Sequence, residues 1–470
     1  MTDSGGVLQR ALRATTRAVR DAIVAETGQD EPSFFAQRLS DHFSTDVTTL
    51  PIVSDSFPLR EHMNVQVALD AMLARAGRTH ALLGVARNFM GGTDFASLLA
   101  KSSRLLGFNA ITQGPVEFAR YELPDGASVS AVENALFLVR DGDQRFAMLV
   151  ATPPEQQRYI RSFTVQVMAE SPARADAVVA ELRALIRERN LYRGRVISLV
   201  VEQHDVGVKF HTLPKVDRDD VILPEGLLDR IERQTVRFSQ HAERLRAMRR
   251  HIKRGVLFHG PPGTGKTFTA MHLASCMPDR TTLIVTGRAQ GLIEQSCQLA
   301  RMLQPALVII EDVDLIAEDR ESNNACNTPL LFELLNQMDG LSGDSDVLFV
   351  LTTNRPSILE PALAARPGRI DQAIEIPLPD AECRRRLIAL YSKGLPMAVE
   401  DLDDVVTRTE GASGAFIKEL LRKSALIAVD RGGEAVTDDD VRGAFRELVV
   451  DGGPLTRALL GVRSYETQRS

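Results

Sequence analysis

Apolar positions along the chain fall into short runs whose spacing predicts an α+β first half and an α/β second half. Glu133–Arg140 and Arg145–Ala151 are apolar, strand-like runs, and Asp141-Gly142-Asp143-Gln144 between them has the composition of a hairpin turn. Ser162–Glu170 alternates with the period of a strand. Past Pro172, Val178, Leu182 and Leu185 recur on one face and predict a helix running to Asn190. Arg195–Glu202 and Val206–Thr212 read as a second strand pair, bent at Asp205-Val206-Gly207. Together these elements predict a curled antiparallel sheet covered by helices over residues 45–212, behind a helix-prone, partly polar segment at 1–44.

The pattern changes at Leu213. Pro214, Asp217, Asp219, Asp220 and Pro224 mark a polar linker, and Glu225–Arg250 predicts one Arg-rich helix. Short apolar strands then alternate with helices, the signature of a parallel sheet covered on both faces. The strand Gly255–His259 runs directly into Gly260-Pro261-Pro262-Gly263-Thr264-Gly265-Lys266-Thr267, which fits G-x-x-x-x-G-K-[ST], and helical sequence follows at Phe268–Cys276. Glycines in such a loop let backbone N–H groups turn toward phosphate oxygens, and the helix N-terminus adds its partial positive charge. Lys266 is suited to neutralise the β- and γ-phosphates of ATP, and the Thr267 hydroxyl to ligate Mg²⁺. Leu307–Ile310 is a buried-strand run ending in Glu311-Asp312-Val313-Asp314. Adjacent carboxylates at such a strand tip can divide the labour, one holding hydrated Mg²⁺ and the other polarising a water. A third strand, Val347–Leu351, ends in Thr352-Thr353-Asn354, whose amide can hold that water against the γ-phosphate. One phosphate loop and no internal repeat predict a single ATPase module.

Composition narrows the classes. At 470 residues the chain exceeds a single ordinary core. A net charge of −6 leaves no overall basic footprint, so nucleic acid is not an expected partner. Cys276, Cys297, Cys326 and Cys383 form no Cys-x-x-Cys pair and read as reduced thiols, and no apolar run is long enough to cross a bilayer. A cytoplasmic protein without a membrane span is therefore expected. No H-E-x-x-H occurs, so a built-in zinc protease is not expected. In the first half, His80, His204 and His211 are scattered and suggest no catalytic constellation.

With Ala364-Ala365-Arg366-Pro367-Gly368-Arg369-Ile370-Asp371 and Gly411-Ala412-Ser413-Gly414-Ala415, these motifs resemble the AAA family of ATPases over roughly residues 215–450. The resemblance implies an AAA+ parallel-sheet nucleotide-binding lobe at 213–380 and a small helical lid at 381–450, preceded by the α+β N-terminal domain and followed by a polar tail at 451–470. It implies that Glu311 takes the magnesium role and Asp312 the base role, with Asn354 as the sensor. Gly414 and Ala415 open the lid helix near adenine, and Asp220-Val221-Ile222 fall on the adenine side. Arg366 and Arg369 match the arginine fingers that reach into a neighbouring subunit's site, and Met338-Asp339-Gly340-Leu341 matches an intersubunit segment. The implied assembly is a homo-hexameric ring; the leading expectation is a chaperone-like machine that remodels a protein client, with residues 45–212, which the resemblance does not cover, as client or adaptor domain.

Two departures from the family pattern stand out. The usual order at the acidic strand end is Asp then Glu, whereas this chain has Glu311 then Asp312. Asp is one methylene shorter, so either the water sits closer or the strand tip shifts; the mitochondrial AAA chaperones for respiratory-complex assembly are similar in this inversion, and an active but slower ATPase is expected. The substrate-gripping loop of the family carries an aromatic residue, but Thr286–Gln304 has none. Gly291-Leu292-Ile293-Glu294 is the nearest candidate for a weak grip. The alternative expectation is an ATP-regulated assembly switch or scaffold that threads nothing.

Overall fold

The computed structural model describes residues 32–86, 93–100, 111–153, 162–202, 205–286, 292–314, 334–338, 345–359 and 369–451. The chain divides into two compact units, one running to Leu191 and the other from Tyr192, with the hairpin tip 201–207 grouped with the first.

In the first unit, strands β1 (Ile52–Pro58), β2 (Arg78–Val85), β3 (Gln113–Gly114), β6 (Asn134–Asp141), β7 (Gln144–Ala151) and β8 (Ser162–Ala169) form an antiparallel sheet in the order β1-β8-β7-β6-β2-β3. Between β3 and β6, β4 (Phe118–Glu122) and β5 (Ser128–Val132) make a separate two-stranded ribbon. Helices cover both sheet faces. On one, Val65, Leu69 and Met72 of α2 (His62–Leu73) and Val178 and Leu182 of α4 (Pro172–Glu188) pack on Phe137, Val139, Phe146 and Met148. On the other, Phe35 and Leu39 of α1 (Phe34–Phe43) and Phe95 and Leu98 of α3 (Phe95–Leu99) pack on Leu136, Leu149 and Met168. Burial on both faces explains why β6 and β7 read as continuous apolar runs and not as alternating ones. Their turn has a positive φ at Gly142 alone, the first of its two central residues, which is the type II′ pattern that glycine supplies. Arg78 ties the layers together: its buried guanidinium meets Asp141 at 2.9 Å and Glu181 at 2.8 Å and lies over the Phe146 ring.

The second unit carries a seven-stranded sheet in the order β10-β9-β12-β13-β14-β11-β15. Its strands are β9 (Val196–Glu202), β10 (Asp205–His211), β11 (Arg254–His259), β12 (Thr281–Thr286), β13 (Ala306–Glu311), β14 (Val347–Thr353) and β15 (Gln372–Glu375), and β12-β13-β14-β11-β15 are parallel throughout. The lid is built from α10 (Ala381–Tyr391), α11 (Leu402–Arg408), α12 (Gly414–Asp430) and α13 (Asp438–Arg446) around Phe416, Ile417, Leu420 and Val441.

Two elements differ from the sequence expectation. The strand pair assigned to the first domain joins the second unit's sheet, with Val196 and Ile197 of β9 paired in parallel with Thr282 and Leu283 of β12. Apolar strand sequence specifies that a ladder forms but not which neighbour supplies it, and β12 offered an open edge. The single helix expected at 225–250 is three short ones, α5 (Leu227–Gln234), α6 (Val236–Gln240) and α7 (Ala242–Ala247). The first break falls at Thr235, whose hydroxyl donates to the Ile231 carbonyl while its backbone leaves the helical region (φ −124°, ψ −75°).

Candidate functional site

The carboxyl ends of β11, β13 and β14 lie side by side, and each hands over to a polar motif there. From β11 the chain turns through Gly260–Thr267 into α8 (Lys266–Ser275), with Gly265 at φ 96° capping the helix. Gly263 is held at φ 75°, and a Cβ there would sit 2.8 Å from Ser413 Oγ and 2.9 Å from Ala415 Cβ. The Ala415 N–H donates to the Gly263 carbonyl at 3.2 Å, so the first turn of α12 rests directly on the loop. Lys266 Nζ donates to the carbonyls of Gly260 (2.9 Å) and Pro261 (2.7 Å). Burial lowers its pKa to about 8, against the opposing pull of Asp312 and Asp314.

Glu311 closes β13. Burial first, and then the charge of Asp312, push its carboxyl pKa up, while a hydrogen bond from Thr267 works the other way. Its Oε1 is buried with no hydrogen-bond partner. A desolvated carboxylate oxygen lacking a partner, beside the Thr267 hydroxyl, is the oxygen donor set that fits Mg²⁺. Asp312 has a positive φ of 50° and accepts from Asn354 Nδ2 at 3.3 Å. Burial and Asp314 raise its pKa, opposed by Lys266 and Asn354. The structure thus brings Lys266, Thr267, Glu311, Asp312 and Asn354 to one place.

Beside the loop lies a pocket lined by Val221, Ile222, Phe268, Pro379, Tyr391 and Gly414 among others. Apolar and aromatic side chains next to a phosphate loop suit the base of a nucleotide. Sequence reasoning reached Asp220–Ile222 and Gly414 here but missed Phe268, Pro379 and Tyr391. Phe268 had a usable signal: it is a large apolar side chain on the solvent-facing first turn of the helix after the loop, and it remains 43% exposed. Tyr391 comes from the end of a lid helix more than a hundred residues away, with no local cue.

Other expected residues are placed differently. Arg369 is not brought to this chain's own loop. Its carbonyl oxygen lies 2.3 Å from where a Cβ on Gly255 would sit, at the amino end of β11, roughly 16 Å along the strand from Gly260. Arg366, and Asp339, Gly340 and Leu341 of the intersubunit segment, lie outside the described residues, as does Gly291. Met338 is buried and its carbonyl accepts from Lys253 Nζ at 2.9 Å. The weak grip expected of Leu292 and Ile293 is overturned: both are buried, 4% and 1% exposed, at the start of α9 (Ile293–Met302), where the apolar first turn packs into the protein. Among the described residues, no group of three or more His, Cys, Asp or Glu side chains could hold a metal ion by themselves.

The profile described as "ATPase family associated with various cellular activities (AAA)" matches residues 256–378, and the AAA+ lid domain profile matches residues 400–442. The second unit belongs to the AAA family of ATPases. Similar proteins include the ATP-dependent zinc metalloprotease FtsH 3 of Sphaerobacter thermophilus, 31% identical over 297 residues that span 60% of this chain and 58% of that protein. The 26S proteasome regulatory subunit 10B homolog A of Arabidopsis thaliana is 33% identical over 208 residues, covering 42% of this chain and 52% of its own length. The chloroplastic FTSH metalloprotease of Capsicum annuum is 28% identical over 54% of this chain and 39% of that protein. The chain therefore spans between about two fifths and three fifths of these relatives. The AAA fold expected from the motifs, a parallel-sheet lobe with a helical lid behind an α+β region, is the fold observed. Among the described residues, no helix is long and apolar enough to cross a membrane.

Proposed function

We propose that the chain binds ATP with Mg²⁺ at the AAA module and hydrolyses it to drive remodelling of a protein client or complex. The observation that carries this reading is the convergence of the loop lysine, the Thr267–Glu311 oxygen pair and the Asp312–Asn354 pair at adjacent strand tips, with the lid helix resting on the loop. Lys266 exchanges its two loop carbonyls for phosphate oxygens, a charge-assisted contact that strengthens as charge builds on the leaving phosphates. Thr267 and Glu311 would hold Mg²⁺, which would supply positive charge against the phosphates. Asp312 takes the proton of the attacking water, and its raised pKa suits it to that exchange. Asn354 fixes the Asp312 carboxylate and offers its amide to the same water. Arg366 and Arg369 act in trans, at the site of the next subunit in a homo-oligomeric ring, where guanidinium groups spread transition-state charge. Residues 45–191 serve as the client or adaptor domain, and the working compartment is the cytoplasm.

Lys266→Ala should abolish binding of a fluorescent ATP analogue. Asp312→Asn should keep the binding, lose turnover, and hold ATP-bound rings with client attached. An Asp312→Asn protein that hydrolyses ATP at the normal rate would defeat the catalytic assignment. The second reading, an assembly switch without threading, is favoured by the burial of Leu292 and Ile293 and by the lack of an aromatic residue in Thr286–Gln304. It predicts ATP-dependent assembly with no client retained by Asp312→Asn rings.

A further inference from the structure

The inverted Glu311-Asp312 order leaves the base one methylene short, and the backbone at Asp312 is unusual. The β13–β14 register stops at Ile310 opposite Leu351. Beyond it, Asp312 turns into the left-handed region, φ 50°, a conformation that costs a non-glycine residue about 1–2 kcal/mol unless its surroundings hold it. They do so through side chains of the neighbouring strand. The Thr352 hydroxyl accepts the Asp312 N–H at 3.1 Å, where a continuing ladder would have used a main-chain carbonyl. One turn further, Asp314 Oδ1 accepts from the Thr353 hydroxyl at 2.8 Å and from the Asn354 N–H at 3.2 Å. The Thr353 hydroxyl in turn accepts the Arg355 N–H at 3.0 Å. Thr352, Thr353 and Asp314 are all buried, so these bonds compete with little water. The Asn354 side chain, fixed at its backbone by Asp314, reaches back to Asp312 Oδ1.

We infer that Thr352 and Asp314 are positioning residues: together they latch the acidic strand end to the sensor strand and hold the Asp312 backbone in the turned conformation that aims its short carboxylate. Neither touches the reacting atoms. Asp314 acts through Thr353 and Asn354, and Thr352 acts through the Asp312 main chain. The inference rests on Asp312 being the base, and it adds the reason a shorter side chain can serve.

The test uses the full-length protein. Thr352→Val preserves shape and β-branching but removes the acceptor, and Thr352→Ser restores it. The latch predicts that Thr352→Val lowers kcat by roughly 10- to 100-fold, the scale of a misplacement near 1 Å, while KM and the affinity for a fluorescent ATP analogue stay within about twofold. Thr352→Ser should return kcat to within about threefold of the parent. Asp314→Val should give the same split between kcat and KM, whereas Asp314→Asn, which keeps an acceptor oxygen in place, should be the milder change. A Thr352→Val enzyme with unchanged kcat, an equal loss of kcat and affinity, or a serine variant that fails to recover would each overturn the latch. Should the valine variant not fold, Thr352→Ala against Thr352→Ser carries the same comparison. Asp312→Asn, measured alongside, separates the two levels: if it retains turnover the base assignment fails, and if it loses turnover while Thr352→Val does not, only the latch fails.

Discussion

At the scale of single residues, Lys266 sets a pH limit. Burial holds its pKa near 8, so it is mostly charged at neutral pH and loses that charge as the pH rises through that value. Phosphate binding needs the charged form, and binding above pH 8 must therefore take up a proton. Affinity for an ATP analogue should fall by about tenfold per pH unit above 8, until the higher pKa of the bound lysine is passed. Titrating the analogue by fluorescence at pH 7, 8 and 9 checks this; Lys266→Arg, which keeps its charge, should flatten the curve even if binding is weaker. The carboxylates behave in the opposite sense. Glu311 is pushed up by burial and by the charge of Asp312, and Asp312 by burial and by the charge of Asp314, so their ionised forms are lost at a higher pH than ordinary carboxylates as acid is added.

At the scale of elements, the contact between loop and lid leaves no room for a side chain. Gly263→Ala adds a Cβ inside the Ser413 and Ala415 contacts and strains a backbone at φ 75°. The variant should bind nucleotide at least tenfold more weakly, roughly the effect of 1–2 kcal/mol of strain, with a detectably shifted lid by hydrogen exchange across 411–420. In the first unit, Arg78→Met removes the shared partner of Asp141 and Glu181 and leaves both carboxylates, each about a quarter exposed, without their main cation. A loss of about 2–4 kcal/mol is expected, read from the urea midpoint of the sheet's slow-exchanging amides. These elements also show what was legible. The hairpin at Gly142, the helix after Pro172 and the loop after β11 are written in consecutive residues, and local chemistry decides them. The partner of β9 is not, because an apolar strand will ladder with whichever edge is near. Nor was the break at Thr235, where one hydroxyl takes a carbonyl from the helix. In the site, the lysine, threonine and acidic pair could be read from spacing, whereas Thr352, Asp314 and Tyr391 acquire their places only when separate strands and the lid come together.

At the scale of the molecule, the proposed donation of Arg366 and Arg369 by a neighbour would make turnover a property of the assembly. Arg366→Ala should bind nucleotide normally yet fail to hydrolyse it alone, and mixing with Lys266→Ala subunits, which keep the arginine but lose their own site, should restore part of the activity. Activity measured across mixing ratios, with mass photometry of the same samples, checks both the donation and the ring; a monomer turning over normally at every concentration would contradict them. The lid's seat on the phosphate loop has a mechanical corollary. It is made by a main-chain N–H and a main-chain carbonyl, Ala415 to Gly263, so it calls on no particular side chain, only on the room that Gly263 leaves. In the proposed cycle a moving lid would pivot where the chain enters it, at Pro377-Leu378-Pro379, where two pyrrolidine rings each fix a backbone angle. Replacing those rings would loosen the stroke without touching a single group that meets the nucleotide's phosphates.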